Sequence, residues 1–169
     1  MKMKRVEKIL VSACLLGKRV RYDGNTLTVL DQIIQDWQAE GRIVPVCPEV
    51  DGGMNTPRPP AEITHGGGYR VLDGTAKVID VEGTDVTNYF EEGASIALSL
   101  CKKHGIKVAI LSESSPSCGS TTIYDGTFTG EKIQGEGVTA ALLKENGIQV
   151  FSQHSIEAAA QTILKLSQS

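Results

Sequence analysis

An α/β fold, Rossmann-like and three-layered with a mostly parallel sheet, is predicted by three features of this chain. Short apolar runs alternate with longer segments of helical periodicity, glycines punctuate the helix ends, and the reactive residues collect just after the apolar runs. Strands that alternate with helices imply right-handed crossovers and a parallel sheet covered on both faces.

Taken in order, residues 8–13 form a buried-strand candidate, and residues 26–40 carry Leu27, Leu30, Ile33, Ile34 and Trp37 at helical spacing with Gly41 as the stop. Residues 43–46 give the second strand. A stretch rich in Gly and Pro then runs from Pro48 to Gly68, and residues 69–80 read as a hairpin around Asp73-Gly74. The long helix of residues 87–104 sets Phe90, Ala94, Ala97, Leu98 and Cys101 on one face and ends at Gly105, ahead of the apolar run 108–111. Another Asp-Gly turn falls at Asp125-Gly126. A helix over 138–145 stops at Gly147, a strand covers 148–151, and Ser155 is placed to cap a last helix holding Ile156, Ala159, Ile163 and Leu166. No solenoid period or low-complexity tail interrupts this rhythm, and long Gly/Pro loops inside compact folds are commonly functional.

Composition narrows the function classes. The chain has 169 residues, 40% of them hydrophobic, enough for one domain over residues 1–169 built on one core. Lys+Arg 17 against Asp+Glu 20 leaves a net charge of -3, which argues against a phosphate-neutralising surface and a nucleic-acid partner. The basic start Met1-Lys2-Met3-Lys4-Arg5 leads into Ser12-Ala13-Cys14 without a cleavage pattern, so it does not read as a signal peptide. No stretch reaches the roughly 20 apolar residues a membrane span requires. A cytoplasmic location is expected, where thiols stay reduced, so the four cysteines read as ligands, nucleophiles or core rather than disulfides.

Cys14 follows the first strand candidate, Cys47 the second, and Cys118 lies in the loop after residues 108–111. Loops at the carboxyl ends of parallel strands converge on the ligand crevice, so three thiols are expected to meet there. No Cys-x-x-Cys pair is present, and only the fold could assemble the trio. Cys101 instead sits on the Ala-Leu stripe of its helix and reads as a small core hydrophobe. Three thiolates without an evident fourth ligand suggest an open coordination position, and thiolates suit zinc, Cu(I) and Fe–S clusters alike. His65, His104 and His154 read as loop, helix-end and surface residues, with His65 the one whose Gly-rich loop could approach the site.

Motifs spread along the chain carry a resemblance. Ser12-Ala13-Cys14-Leu15-Leu16-Gly17, Arg21-Tyr22-Asp23-Gly24, Pro45-Val46-Cys47-Pro48-Glu49-Val50, Gly52-Gly53, Thr56-Pro57-Arg58-Pro59, Glu62-Ile63, Asp85-Val86-Thr87, Ser114-Ser115-Pro116-Ser117-Cys118-Gly119 and Tyr124-Asp125-Gly126 together resemble the TudS-type thiouracil desulfidases, a bacterial family. The resemblance covers nearly the whole chain in the same order. It implies a 4Fe-4S cluster held by Cys14, Cys47 and Cys118 with one iron open, Glu49 as catalytic acid/base and Ser114 as active-site serine. Arg21, Arg58 and Ser117 are the expected substrate contacts, and a small thiolated base such as 2-thiouracil the expected substrate.

The chemistry accords with those residue types. An open iron binds and polarises a soft thiocarbonyl sulfur, a carboxylate activates water or moves a proton, and a hydroxyl orients the substrate. Arginine forks at Arg21 and Arg58 suit a carbonyl oxygen or an anion. A pKa raised by poor solvation would suit Glu49 to this role, whereas turn capping or pairing with Arg58 is the plainer reading. A non-catalytic protein that binds or senses metal or sulfide is the alternative, and Fe–S electron transfer the weaker one.

Overall fold

The computed structural model describes residues 7–17, 23 and 31–168. In chain order the elements are β1 (Ile9–Ser12), α1 (Gln32–Ala39), β2 (Ile43–Val46), α2 (Pro48–Asp51), β3 (Ala61–Ile63), α3 (Gly68–Leu72), β4 (Val78–Asp80), α4 (Thr87–His104), β5 (Val108–Leu111), β6 (Thr122–Tyr124), β7 (Lys132–Gln134), α5 (Val138–Glu145), β8 (Gln149–Ser152) and α6 (Ile156–Ser167). The main sheet has the order β2-β1-β5-β8 with every pairing parallel. The three-layer α/β expectation therefore holds.

Alternation along each strand sends its two faces to different helices. Ile9 and Val11 pack with Val108 and Ile110 against Ile34 and Trp37 of α1 and Ile156, Ala159 and Ile163 of α6. Leu10, Val46, Ala109 and Leu111 face the other way, onto Ala97 and Cys101 of α4 and Ala140 and Leu143 of α5. Pro45 lacks an N–H to give to a ladder, and it lies in β2 at the end of the strand order, where none is needed. A third cluster joins Ile63, Val71, Val78, Phe90, Ala94, Ile123 and Val138 beneath the β3–β4 pair.

The strands share a register that aligns their carboxyl ends: Ser12 lies opposite Val46, Val11 opposite Ile110, and Leu111 opposite Ser152. After β2 the chain crosses to the far side of β1 to form β5. This is the arrangement that opens a ligand crevice beyond the strand ends.

Two expectations change. Residues 69–80 do not form a hairpin around Asp73-Gly74; α3 ends there, and β4 pairs antiparallel with the earlier β3, Ile63 opposite Val78. The Asp73 side chain accepts the Thr75 N–H at 2.9 Å, so this Asp-Gly closes a helix instead of turning a ribbon. Likewise α1 begins at Gln32, because Asp31 is extended and its carboxylate caps the Ile33 N–H at 2.8 Å. Residues 26–30 of the expected helix lie outside the described residues. Ser155 does stand at the start of α6, though its hydroxyl makes no capping bond. Among the described residues no helix is long and apolar enough to cross a membrane.

Candidate functional site

A pocket of about 420 Å³ opens beyond the carboxyl ends of β1, β2 and β5, and Cys14, Cys47, Glu49, Arg58, Ser114 and Cys118 all line it. Cys14 sits in a 3-10 turn, Ala13–Leu16, that continues β1. Cys47 follows β2 directly as the extended residue ahead of α2, with Pro48 at the first helical position and the Asp51 carboxylate accepting the Cys47 N–H at 3.1 Å. Gly93 lets that short helix lie against α4, since a Cβ there would overlap the Pro48 carbonyl. Close packing of backbone on backbone thus fixes the turn that carries Cys47 and Glu49.

Cys118 is delivered by a tighter device. The Ser115 hydroxyl accepts the N–H groups of Ser117 at 3.0 Å and Cys118 at 3.1 Å, turning the chain so that the thiol faces back toward β1. There the Ser12 hydroxyl donates to Cys118 Sγ at 3.7 Å while accepting the Ser112 N–H at 3.1 Å. None of the four cysteines is joined in a disulfide. Burial raises the Cys118 thiol pKa above its ordinary value, against the Ser12 hydrogen bond, with Cys47, Glu49 and Cys14 adding to the rise. Burial likewise pushes Cys47 up to about 11, against a hydrogen bond from the Val50 N–H. Without a metal these thiols hold their protons; a bound metal would displace them.

Cys101 belongs to the core beside Ala97 and Leu143, and burial alone pushes it up to about 12. It does not line the pocket.

Glu49 and Arg58 are paired. Arg58 Nε donates to Glu49 Oε1 at 3.2 Å, and its Nη1 donates to the Asn55 carbonyl and the Thr56 hydroxyl, each at 3.1 Å. The plainer reading of Glu49, a pairing with Arg58, is therefore present, and it occurs inside the pocket. Ser114 has a left-handed backbone, φ 68°, and its hydroxyl shares a hydrogen bond with Thr122 Oγ1 at 3.0 Å.

Ser117 departs from the expectation of a substrate contact. Its side chain is fully buried, outside the pocket wall, and shares a hydrogen bond with Thr139 Oγ1 at 3.1 Å. Gly137 packs against it so closely that a Cβ would strike the Ser117 carbonyl, so Ser117 belongs to the support beneath the site. Arg21 lies outside the described residues.

Several pocket residues were not foreseen, and Glu113 is the most consequential. One oxygen of its carboxylate accepts the N–H groups of Ser114, Ser120, Thr121 and Thr122 at 2.9–3.2 Å, and the other accepts the hydroxyls of Ser120 at 2.8 Å and Thr121 at 3.1 Å. Burial alone would raise this acid, but the backbone bonds from Thr121 and Thr122 and the Ser120 hydroxyl prevail and hold it at about 2. Glu113 is thus an anion at neutral pH that ties both ends of the loop carrying Ser114 and Cys118. A hydroxyl-rich Ser120-Thr121-Thr122 shortly after an acid was the only trace of this in the sequence. Glu62, Tyr124 and Phe128 also line the pocket.

Among the described residues, no three Cys, His, Asp or Glu side chains converge on a point suited to a single ion. Three soft thiol donors on one pocket wall nonetheless fit an iron–sulfur cluster, in which each thiolate binds a different iron.

Fold and site define a parallel-sheet α/β protein with a thiol-lined pocket at the carboxyl edge of the sheet. The chain belongs to the 2-thiouracil desulfurase family, whose model it matches over residues 9–155. It is 48% identical over 148 residues to the uncharacterized protein YbbK of Bacillus subtilis (strain 168), covering 88% of this chain and 97% of that one. The solved structure of the [4Fe-4S]-dependent thiouracil desulfidase TudS is 48% identical and superposes with a TM-score of 0.85 over 96% of this chain and 99% of its own.

Proposed function

We propose that this protein is a [4Fe-4S]-dependent desulfidase acting on a thiolated pyrimidine such as 2-thiouracil without net redox change. The thiocarbonyl base and one water give the oxo base and hydrogen sulfide. The observation that carries this reading is the gathering of Cys14, Cys47 and Cys118 with Glu49, Arg58 and Ser114 around one pocket. The family match and the likeness to TudS support it.

Cys14, Cys47 and Cys118 would hold the cluster, which when bound supplies an open, soft Lewis-acidic iron for the thiocarbonyl sulfur. Glu49, its direction set by the ion pair with Arg58, accepts a proton from the attacking water and passes it on as the C–S bond breaks. Arg58 fixes the direction of that carboxylate, because its own fork is anchored at Asn55 and Thr56. The Ser114 hydroxyl, oriented by Thr122, offers the ring nitrogen or carbonyl a hydrogen bond. Apolar walls from Val46, Pro60 and Phe128 limit competing water. A pocket with this acid and these hydroxyls has no use in simple electron transfer. The setting proposed is a single domain over residues 1–169, working in the cytoplasm on a free small molecule rather than on nucleic acid.

Anaerobic purification followed by iron, acid-labile sulfide and zinc analysis, with sulfide release from 2-thiouracil measured on the same sample, tests the reading. Iron and sulfide in equal amounts with turnover are expected, and stripping the metal with a chelator abolishes that turnover. Near-stoichiometric zinc without sulfide overturns the proposal, and an intact cluster with no turnover on any thiolated pyrimidine leaves metal or sulfide sensing as the function.

A further inference from the structure

Beyond the thiols and Glu49, one wall of the pocket holds a bulky residue in an unfavourable backbone conformation. Phe128 has φ 58°, a left-handed value uncommon for a large side chain and costly to maintain. What maintains it is Glu62, a carboxylate of β3 only 8% exposed. Its Oε1 accepts the N–H of Gly126 at 2.9 Å and that of Phe128 at 3.2 Å. Burying a carboxylate is costly unless hydrogen bonds offset it, and the donors Glu62 receives are the N–H groups of this loop.

What the loop presents is the Phe128 ring. Phe128 lines the pocket, yet among the described residues it is not packed into any of the three core clusters. The other aromatic residue of the wall among the described residues, Tyr124, has Lys132 Nζ over one face of its ring at 5.4 Å. Among the described residues Phe128 is thus an aromatic pocket surface with no cation over its ring, open to a flat ligand. Aromatic rings bind nucleobases by offset stacking, which tolerates changes at the ring substituents and suits a site that converts C=S to C=O.

Resting on the function proposed above, we infer that Phe128 is the stacking platform for the substrate heterocycle and that Glu62 is its positioning residue. The test uses anaerobically prepared holoprotein, with steady-state sulfide release from 2-thiouracil and calorimetric titration with uracil as a turnover-free readout. Phe128→Ala raises KM and the uracil Kd by roughly 5- to 150-fold, the span of measured base–aromatic stacking, with kcat and iron content unchanged. Phe128→Leu, which keeps apolar bulk and guards against misfolding, moves both constants in the same direction, and Phe128→Tyr restores them. Glu62→Ala reproduces the loss, Glu62→Gln rescues it by keeping one acceptor oxygen, and the double variant with Phe128→Ala is no worse than Phe128→Ala alone.

Unchanged KM and Kd in Phe128→Ala, with wild-type protein still releasing sulfide, overturn the stacking role and leave the proposed function standing. A rise in Phe128→Ala without one in Glu62→Ala overturns the positioning role alone. Wild-type holoprotein that neither releases sulfide nor binds uracil overturns both the function and the inference.

Discussion

Arg58 Nε lies 3.2 Å from Glu49 Oε1, with both side chains largely withdrawn from solvent in the pocket wall. An ion pair of this kind fixes the direction of the carboxylate, a property required of a base that must meet a particular water. Glu49→Gln keeps the shape and a hydrogen-bond acceptor for Arg58 while removing the basic oxygen. It is expected to retain wild-type iron and sulfide and to lose about 10² to 10⁴ in turnover. Sulfide release at the wild-type rate from a fully loaded Glu49→Gln sample would remove Glu49 from the chemistry.

The four cysteines divide by environment, and their variants should divide likewise. Cys14→Ser, Cys47→Ser and Cys118→Ser each replace a soft donor in the pocket wall with a hard one and are expected to lower bound iron and acid-labile sulfide together. Cys101→Ala changes a core residue of α4 and is expected to leave the metal content intact at a cost of about 1 kcal/mol or less in stability. Elemental analysis of the four purified variants decides the matter, and metal loss in Cys101→Ala alone would contradict the division.

Glu113 gives the fold a pH dependence whose sign follows from its depressed pKa. Folding lowers this acid from 4.5 to about 2, so its stabilisation is complete above the unfolded value and is lost as the pH falls through that interval. Glu113→Gln leaves backbone donors facing an amide and is expected to cost about 1–3 kcal/mol near neutral pH. The stability gap between wild type and variant should narrow as pH drops below 4.5. Urea denaturation of both proteins across that range measures it; a gap independent of pH would mean that the loop is not held by the charge.

Periodicity explains which parts of this architecture were legible. The limits of β2, α4, β5 and α5 follow from apolar runs and helical stripes that the tertiary structure only had to accept, as with Phe90, Ala94, Ala97 and Cys101 on one face of α4. The meeting of Cys14, Cys47 and Cys118 at one pocket followed from strand ends, because a parallel sheet aligns the carboxyl ends of its strands. Asp73-Gly74 misled because the same dipeptide turns a ribbon or closes a helix, and the partner of β4 turned out to lie upstream. Glu113 and Glu62 were invisible for a different reason. Most of their partners are backbone N–H groups, which carry no residue identity, and the fold alone brings them within reach.

Ser114 combines a functional hydroxyl with a backbone that a serine occupies at a cost, and the two can be separated experimentally. At φ 68° a non-glycine residue bears a penalty of about 1–2 kcal/mol, held here by the Glu113 carboxylate on its N–H and by Thr122 on its hydroxyl. Ser114→Ala removes the hydroxyl and keeps the strain; Ser114→Gly removes both. Each variant loses the Thr122 hydrogen bond, so the difference between them isolates the backbone term. Ser114→Gly is therefore expected to melt a few degrees above Ser114→Ala, about 2–4 °C per kcal/mol for a chain of this size. If the hydroxyl orients the substrate, the two variants lose turnover equally despite their different stabilities, with iron content at the wild-type level in both. Thr122→Val, which frees the serine hydroxyl without removing it, should give an intermediate loss. Turnover that tracks melting temperature across the three variants would assign the serine to the rigidity of the loop and take the hydroxyl out of the reaction.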